Sequence, residues 1–114
     1  MGWKFRAKVP DIHIELEVKR SPIHGKGLFA TEWIWPGAYV GRYAGPRVDD
    51  DGHFVLWIQG PDNTEYGVKG VNELRWINHS AEPNVEFEGV ELFAVHGIAP
   101  GEEILLHYGE DWEE

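Results

Sequence analysis

Apolar and polar residues alternate without interruption from Ile12 to Lys19. Ile12, Ile14, Leu16 and Val18 fall on one side of an extended chain, and His13, Glu15, Glu17 and Lys19 on the other. That pattern predicts a half-buried strand over 12–20. Ser21 to Gly27 carries two glycines and reads as a loop whose backbone can approach a neighbour closely. A short apolar piece, 28–30, follows it. Trp35-Pro36-Gly37 signals a turn, and 38–43 a strand that Gly45-Pro46 breaks. An acidic turn at 49–52 leads to a strand over 53–59. A second turn at 60–63 leads to a short strand over 65–68. Only 71–78 is helix-compatible, for about two turns at most. Residues 85–88 and 91–95 form a strand pair around Gly89. Ala99-Pro100-Gly101 turns the chain into a last strand over 102–107. Many short strands, frequent turns and almost no helix predict a mostly-β domain.

Length and composition narrow this further. The 114 residues fit one domain, and 42% hydrophobic content, with six Trp, five Phe and four Tyr, can fill a core. There is no cysteine, which excludes disulfides and thiolate metal sites. Met1–Lys8 has no apolar run of the secretion-signal type, and no stretch is long enough to span a bilayer. The expectation is a cytoplasmic protein that does not engage membranes. Twenty acidic against ten basic residues give a net charge of −10. That opposes direct binding to a phosphate backbone and suits a basic partner, although acidic surfaces also serve solubility alone.

Three runs carry candidate chemistry. The first is His24-Gly25-Lys26-Gly27-Leu28-Phe29-Ala30. The second is Arg75-Trp76-Ile77-Asn78-His79-Ser80-Ala81-Glu82-Pro83-Asn84. The third is Gly101-Glu102-Glu103-Ile104-Leu105-Leu106-His107-Tyr108-Gly109. Taken singly, each has an ordinary reading: a glycine turn, a polar loop after a helical turn, and a tyrosine at a strand end. In this order and spacing the three together resemble the signature of the SET-domain protein lysine methyltransferases, and they span most of the chain.

The resemblance implies a SET-domain fold of several short curved sheets with little helix and a C-terminal pseudoknot. It divides the chain into an N-terminal arm (1–11), a short SET insert (46–74) and an acidic tail (110–114). It implies transfer of a methyl group from S-adenosylmethionine (AdoMet) to the ε-amine of a lysine in a protein substrate. The glycine loop, through Lys26, Gly27 and Leu28, lies against the methionine part of AdoMet, chiefly by backbone. Asn78 is placed near its ammonium and His79 near its adenine, with Arg75 flanking the same pocket. Amide and carbonyl oxygens suit that role because they accept hydrogen bonds. Tyr108 takes the position at the methyl-transfer site, and Tyr43 lines the lysine channel. Tyr66 matches a tyrosine on the AdoMet side. Trp112 matches a C-terminal aromatic that stacks on adenine, or else a tail residue on an apolar patch.

Some positions depart from the family pattern. Alanine at position 81 replaces a zinc-ligating cysteine of many members, which implies a minimal, zinc-free form without a post-SET region. Arg42 stands where an acidic residue is usual before the channel tyrosine. Lys69 and Gly70 follow Tyr66 where an acidic residue is common, and Leu106 stands where many members have Phe or Tyr. These departures keep a second reading open: a non-catalytic SET-like module that binds a peptide. The expected partner is a lysine-containing, basic protein; because the insert is short, the expectation is either a homodimer that completes the substrate groove or modest substrate selectivity.

Overall fold

The structure, a computed structural model, describes residues 14–108. The N-terminal arm, the first two positions of the expected first strand, and the acidic tail with Trp112 lie outside the described residues. Within them the chain forms short strands in four small sheets.

Strands β1 (Leu16–Arg20) and β2 (Lys26–Ala30) form an antiparallel pair, Leu16 opposite Ala30 and Arg20 opposite Lys26. Among the described residues, β1 pairs with β2 alone. Its alternation therefore does not become burial: Val18 is 38% exposed, whereas Leu28 across from it is fully buried. The glycine run also differs from expectation, since Lys26 and Gly27 already belong to β2.

A second sheet has the order β3 (Tyr39–Arg42), β9 (Glu91–Ala94), β8 (Val85–Glu88). The β8–β9 hairpin turns through Gly89-Val90, with Gly89 at φ +61°, a left-handed value that favours glycine. The third sheet has the order β4 (Arg47–Val48), β6 (Glu65–Lys69), β5 (Val55–Gln59). The short insert thus forms a sheet of its own. Its first strand follows directly on the Gly45-Pro46 break, where the sequence gives no strand signal.

The expected helical stretch is shorter than its pattern. A single 3-10 helix, Glu73–Trp76, buries Leu74 and then gives way to extended β7 (Asn78–His79). The expected last strand is also shorter. Only Leu105–Leu106, β10, is paired as a strand, running parallel to β7 with Leu105 opposite Asn78 and Leu106 opposite His79.

The C-terminal segment is gripped from two sides. Towards β2, the Ile104 amide donates to the Leu28 carbonyl at 2.8 Å, and the Ala30 amide to the Glu102 carbonyl at 3.0 Å. On the opposite side, the Ser80 and Asn84 amides donate to the carbonyls of Leu106 and Leu105, each at 3.0 Å. A common core lies under the sheets. Leu28, Leu92, Ile98 and Ile104 are fully enclosed, joined by Ile34, Val40, Leu74, Ile77 and Val85. Each such side chain contributes about 1.5–3 kcal/mol by burial.

Candidate active site

Asn78 joins the second motif to the first. Its side-chain amide nitrogen donates to the carbonyls of His24 and Lys26, each at 3.1 Å, and to Glu103 Oε2 at 2.8 Å. All three are acceptors, so the nitrogen, not the oxygen, faces them. Asn78 Oδ1 is thereby left pointing elsewhere, without a hydrogen bond from the described residues.

Lys26 sits at the head of β2, and its ammonium lies 5.0 Å from the centre of the Trp76 ring. A Cβ on Gly27 would collide with the Glu103 carboxylate, so glycine is required there by its neighbour. Leu28 is fully buried and its carbonyl is used by Ile104, so its side chain belongs to the core.

His79 faces the third motif. Its Nδ1 accepts the Tyr108 amide at 3.0 Å, which leaves the ring proton of the neutral form on Nε2. The His79 ring meets those of Tyr108 and His107 edge-on, at 5.1 and 5.0 Å. The side chain therefore positions the segment that carries Tyr108.

Tyr108 is exposed along its ring, but its hydroxyl is turned inward and donates to the Ile77 carbonyl at 2.5 Å. Burial pushes the Tyr108 phenol above its ordinary pKa. Tyr43 is buried in the core and donates to the Phe54 carbonyl at 2.5 Å. Its phenol is pushed up to about 12, chiefly by burial and next by the charge Tyr108 would carry; Arg75 and the Gly70 amide act in the opposite direction. The Tyr43 hydroxyl thereby joins a cluster with Phe54 and Trp76.

Arg75 borders it. The guanidinium caps the carbonyls of Val71 and Asn72 at 3.0 and 2.8 Å and lies 4.7 Å from the Trp76 ring centre. Phe54 packs edge-on against Trp76 at 5.2 Å. Tyr66 is placed differently. It sits in β6 with the Arg47 guanidinium 3.8 Å from its ring centre, and its recorded contacts link it to the insert sheet and the core.

Several residues of this cluster carry no signal in their type or spacing. Phe54 has φ +67°, a conformation uncommon for a bulky side chain, and its carbonyl serves both the Tyr43 hydroxyl and the Gly70 amide at 2.8 Å. Gly70 is needed because a Cβ there would overlap the Tyr43 phenol. Ser21 and Glu103 form a buried hydrogen-bonded pair, with the Ser21 hydroxyl 2.8 and 2.9 Å from the two carboxylate oxygens. Arg42, the departure beside Tyr43, pairs with Glu91 at 2.8 Å on the exposed surface of β3 and β9. It leaves the tyrosine cluster untouched.

Comparison with known proteins agrees with this arrangement. The SET-domain family model matches residues 25–109. The chain belongs to the SET-domain family. It is 30% identical, over the whole of its length, to histone-lysine N-methyltransferase trithorax of Drosophila virilis. It is also 30% identical, over 95% of its length, to the human histone-lysine N-methyltransferase 2B. This SET domain spans only 4% and 5% of those two relatives. Among solved structures, the methyltransferase domain of human histone-lysine N-methyltransferase SETMAR superposes with a TM-score of 0.73 at 26% identity, covering 85% of this chain and 45% of that one. The Chaetomium thermophilum polycomb repressive complex 2 gives a TM-score of 0.75 at 20% identity, covering 89% of this chain and 16% of that one, a likeness of fold. The mostly-β, several-sheet SET architecture is the observed one.

Proposed function

We propose that this domain is a protein-lysine N-methyltransferase that uses AdoMet as methyl donor and acts on a basic protein. The single observation that carries the proposal is the meeting of three separate segments. Asn78 is tied by its side chain to the 24–26 turn and the start of β2, and the next residue, His79, accepts the Tyr108 amide, so the three motifs converge on one pair of residues.

The residues present fit AdoMet. Asn78 Oδ1 is a spare acceptor suited to an ammonium, and exposed Gly25 leaves the turn before β2 without side-chain bulk. When bound, AdoMet supplies an electrophilic methyl group on a sulfonium. The protein's own part is to bind, orient and desolvate.

Both phenols keep their protons at neutral pH, since burial raises their pKa values. Each donates its proton to a backbone carbonyl, Ile77 or Phe54, so toward an amine N–H a phenol oxygen can act only as an acceptor. A lysine ammonium, with pKa roughly 10.4, must shed its proton before it attacks, a cost of about 4 kcal/mol at neutral pH. A neutral phenol is too weak a base to take that proton. The amine therefore loses it to solvent, and the apolar surroundings favour the neutral form. The net charge of −10 favours approach of a basic substrate.

The direct test is incubation with labelled AdoMet and a panel of lysine-rich proteins, paired with calorimetry of AdoMet binding. Transfer of label to lysine is expected. Absence of both transfer and binding would remove the proposal. Binding without transfer would leave the peptide-binding module in its place.

A further inference from the structure

Glu103 is the only buried carboxylate among the described residues. A buried charge costs several kcal/mol to desolvate and persists only with partners. Its partners here are the Ser21 hydroxyl and the Asn78 side-chain amide, from two segments separated by half the length of the chain. It lies directly beneath the glycine loop, close enough that Gly27 tolerates no Cβ.

The consequence falls on Asn78. An asparagine amide can rotate to present either nitrogen or oxygen. Two carbonyls alone hold the nitrogen by neutral hydrogen bonds at 3.1 Å. The nitrogen has two protons for three acceptors, and the carboxylate is the nearest of them, at 2.8 Å, and the charge-assisted one. With the nitrogen held on that side, only Oδ1 faces outward.

We propose that Glu103 is a positioning residue for the α-ammonium of the cofactor. It locks the Asn78 amide so that an acceptor alone is presented, and it sets a negative charge behind that amide. This rests on the reading of the site as an AdoMet site.

The test compares two ligands that lack the reactive methyl: S-adenosylhomocysteine and its analogue without the α-amino group. Binding of each to the wild-type domain, Glu103→Gln and Glu103→Ala is measured by calorimetry. Wild type should prefer the amine-bearing ligand by about tenfold or more, the range of a hydrogen bond to a charged group. In both variants the preference should shrink to within about threefold, because the charge-assisted bond is gone. A variant that is partly unfolded loses affinity for both ligands alike, so the ratio is insensitive to a merely structural role. Glu103→Gln, nearly the size of the original, decides the matter if the alanine variant does not fold. A wild-type ratio retained in Glu103→Gln, or a wild-type ratio near one, overturns the inference. If wild type binds neither ligand, the AdoMet reading itself falls.

Discussion

Asn84 holds Leu105 by both backbone groups. The Asn84 amide donates to the Leu105 carbonyl at 3.0 Å, and Asn84 Oδ1 accepts the Leu105 amide at 2.8 Å. Its side-chain nitrogen also donates to the Glu103 carbonyl at 2.9 Å. A single buried side chain thus replaces the next residues of a strand ladder beside β10, which has only two paired residues. Alanine at position 84 would leave the Leu105 amide and the Glu103 carbonyl unpartnered in the interior. Each lost partner costs about 1–3 kcal/mol, so Asn84→Ala should destabilise the domain by roughly 2–5 kcal/mol in urea unfolding. It should also lower methyl transfer beyond what the unfolded fraction explains, since the loosened segment carries Tyr108. A loss below about 0.5 kcal/mol, the size of an ordinary surface change, would show that the clamp is dispensable.

Two glycines of the same loop should respond differently to alanine. At Gly27 a Cβ runs into the Glu103 carboxylate; at Gly25, with φ +42°, a Cβ meets nothing within 4 Å. Gly27→Ala must displace Glu103 or the loop, a cost of about 1–3 kcal/mol for an overpacked site. AdoMet affinity should fall with it by tenfold or more, about 1.4 kcal/mol or more. Gly25→Ala strains only its own backbone, by roughly 1 kcal/mol, and should leave affinity within about threefold. Calorimetric titration of both variants checks this; equal losses would contradict the role assigned to the Gly27–Glu103 contact.

The contrast between these positions shows what the sequence made legible. Repeated strand signals between Gly and Pro turns identified the all-β class, and the order of the three motifs identified the family. Asn78 and His79 stand out as candidates because their motif is local. Glu103, Phe54 and Gly70 do not, because their roles arise from partners far away in the chain. Glu103 is an ordinary strand acid until Ser21 and Asn78 close over it, 82 and 25 residues away. Gly70 is an ordinary turn glycine until the Tyr43 phenol packs against it. The alternation in β1 misled in the opposite sense. Period two specifies which residues share a face, and only a second neighbouring element makes that face buried. The shortened helical stretch has a similar cause. β7 must be extended to pair with β10, and that parallel pairing ends the helical turn at Trp76.

Removal of the Tyr108 hydroxyl separates chemistry from binding. In Tyr108→Phe the ring stays against His79, and the hydrogen bond to the Ile77 carbonyl is lost. Stability should fall by about 1 kcal/mol. Turnover should drop by about 10²-fold, the scale on which misplacement of a reacting group acts. AdoMet affinity should stay within about threefold, because the Asn78 contacts are intact. Single-turnover transfer and calorimetry on the same preparation read both quantities. Parallel loss of affinity and turnover would mean that Tyr108 holds the cofactor rather than the amine.

Tyr43 provides a test in alkaline solution. Its phenol is pushed up to about 12, chiefly by burial, from an ordinary value of 10.0. The folded state therefore retains the Tyr43 proton where the unfolded chain has released it. Between about pH 10 and 12 the native state binds more protons, so stability falls as pH rises. The contribution is fully present below pH 10 and is lost as pH climbs through the folded value. Two pK units correspond to at most about 3 kcal/mol. Tyr43→Phe has no proton to lose. The variant should begin less stable by about 1 kcal/mol at pH 7, because the bond to the Phe54 carbonyl is gone. Above pH 10 the gap should close and then reverse, since the phenylalanine variant escapes the ionisation that weakens the wild type. Tyr39, also pushed up to about 12 by burial and by its bond to Glu91, is common to both proteins and cancels in the difference. Urea unfolding at pH steps from 7 to 12 records the two curves. Parallel curves across that range would show that Tyr43 does not lie in the dry environment on which the proposed lysine channel depends.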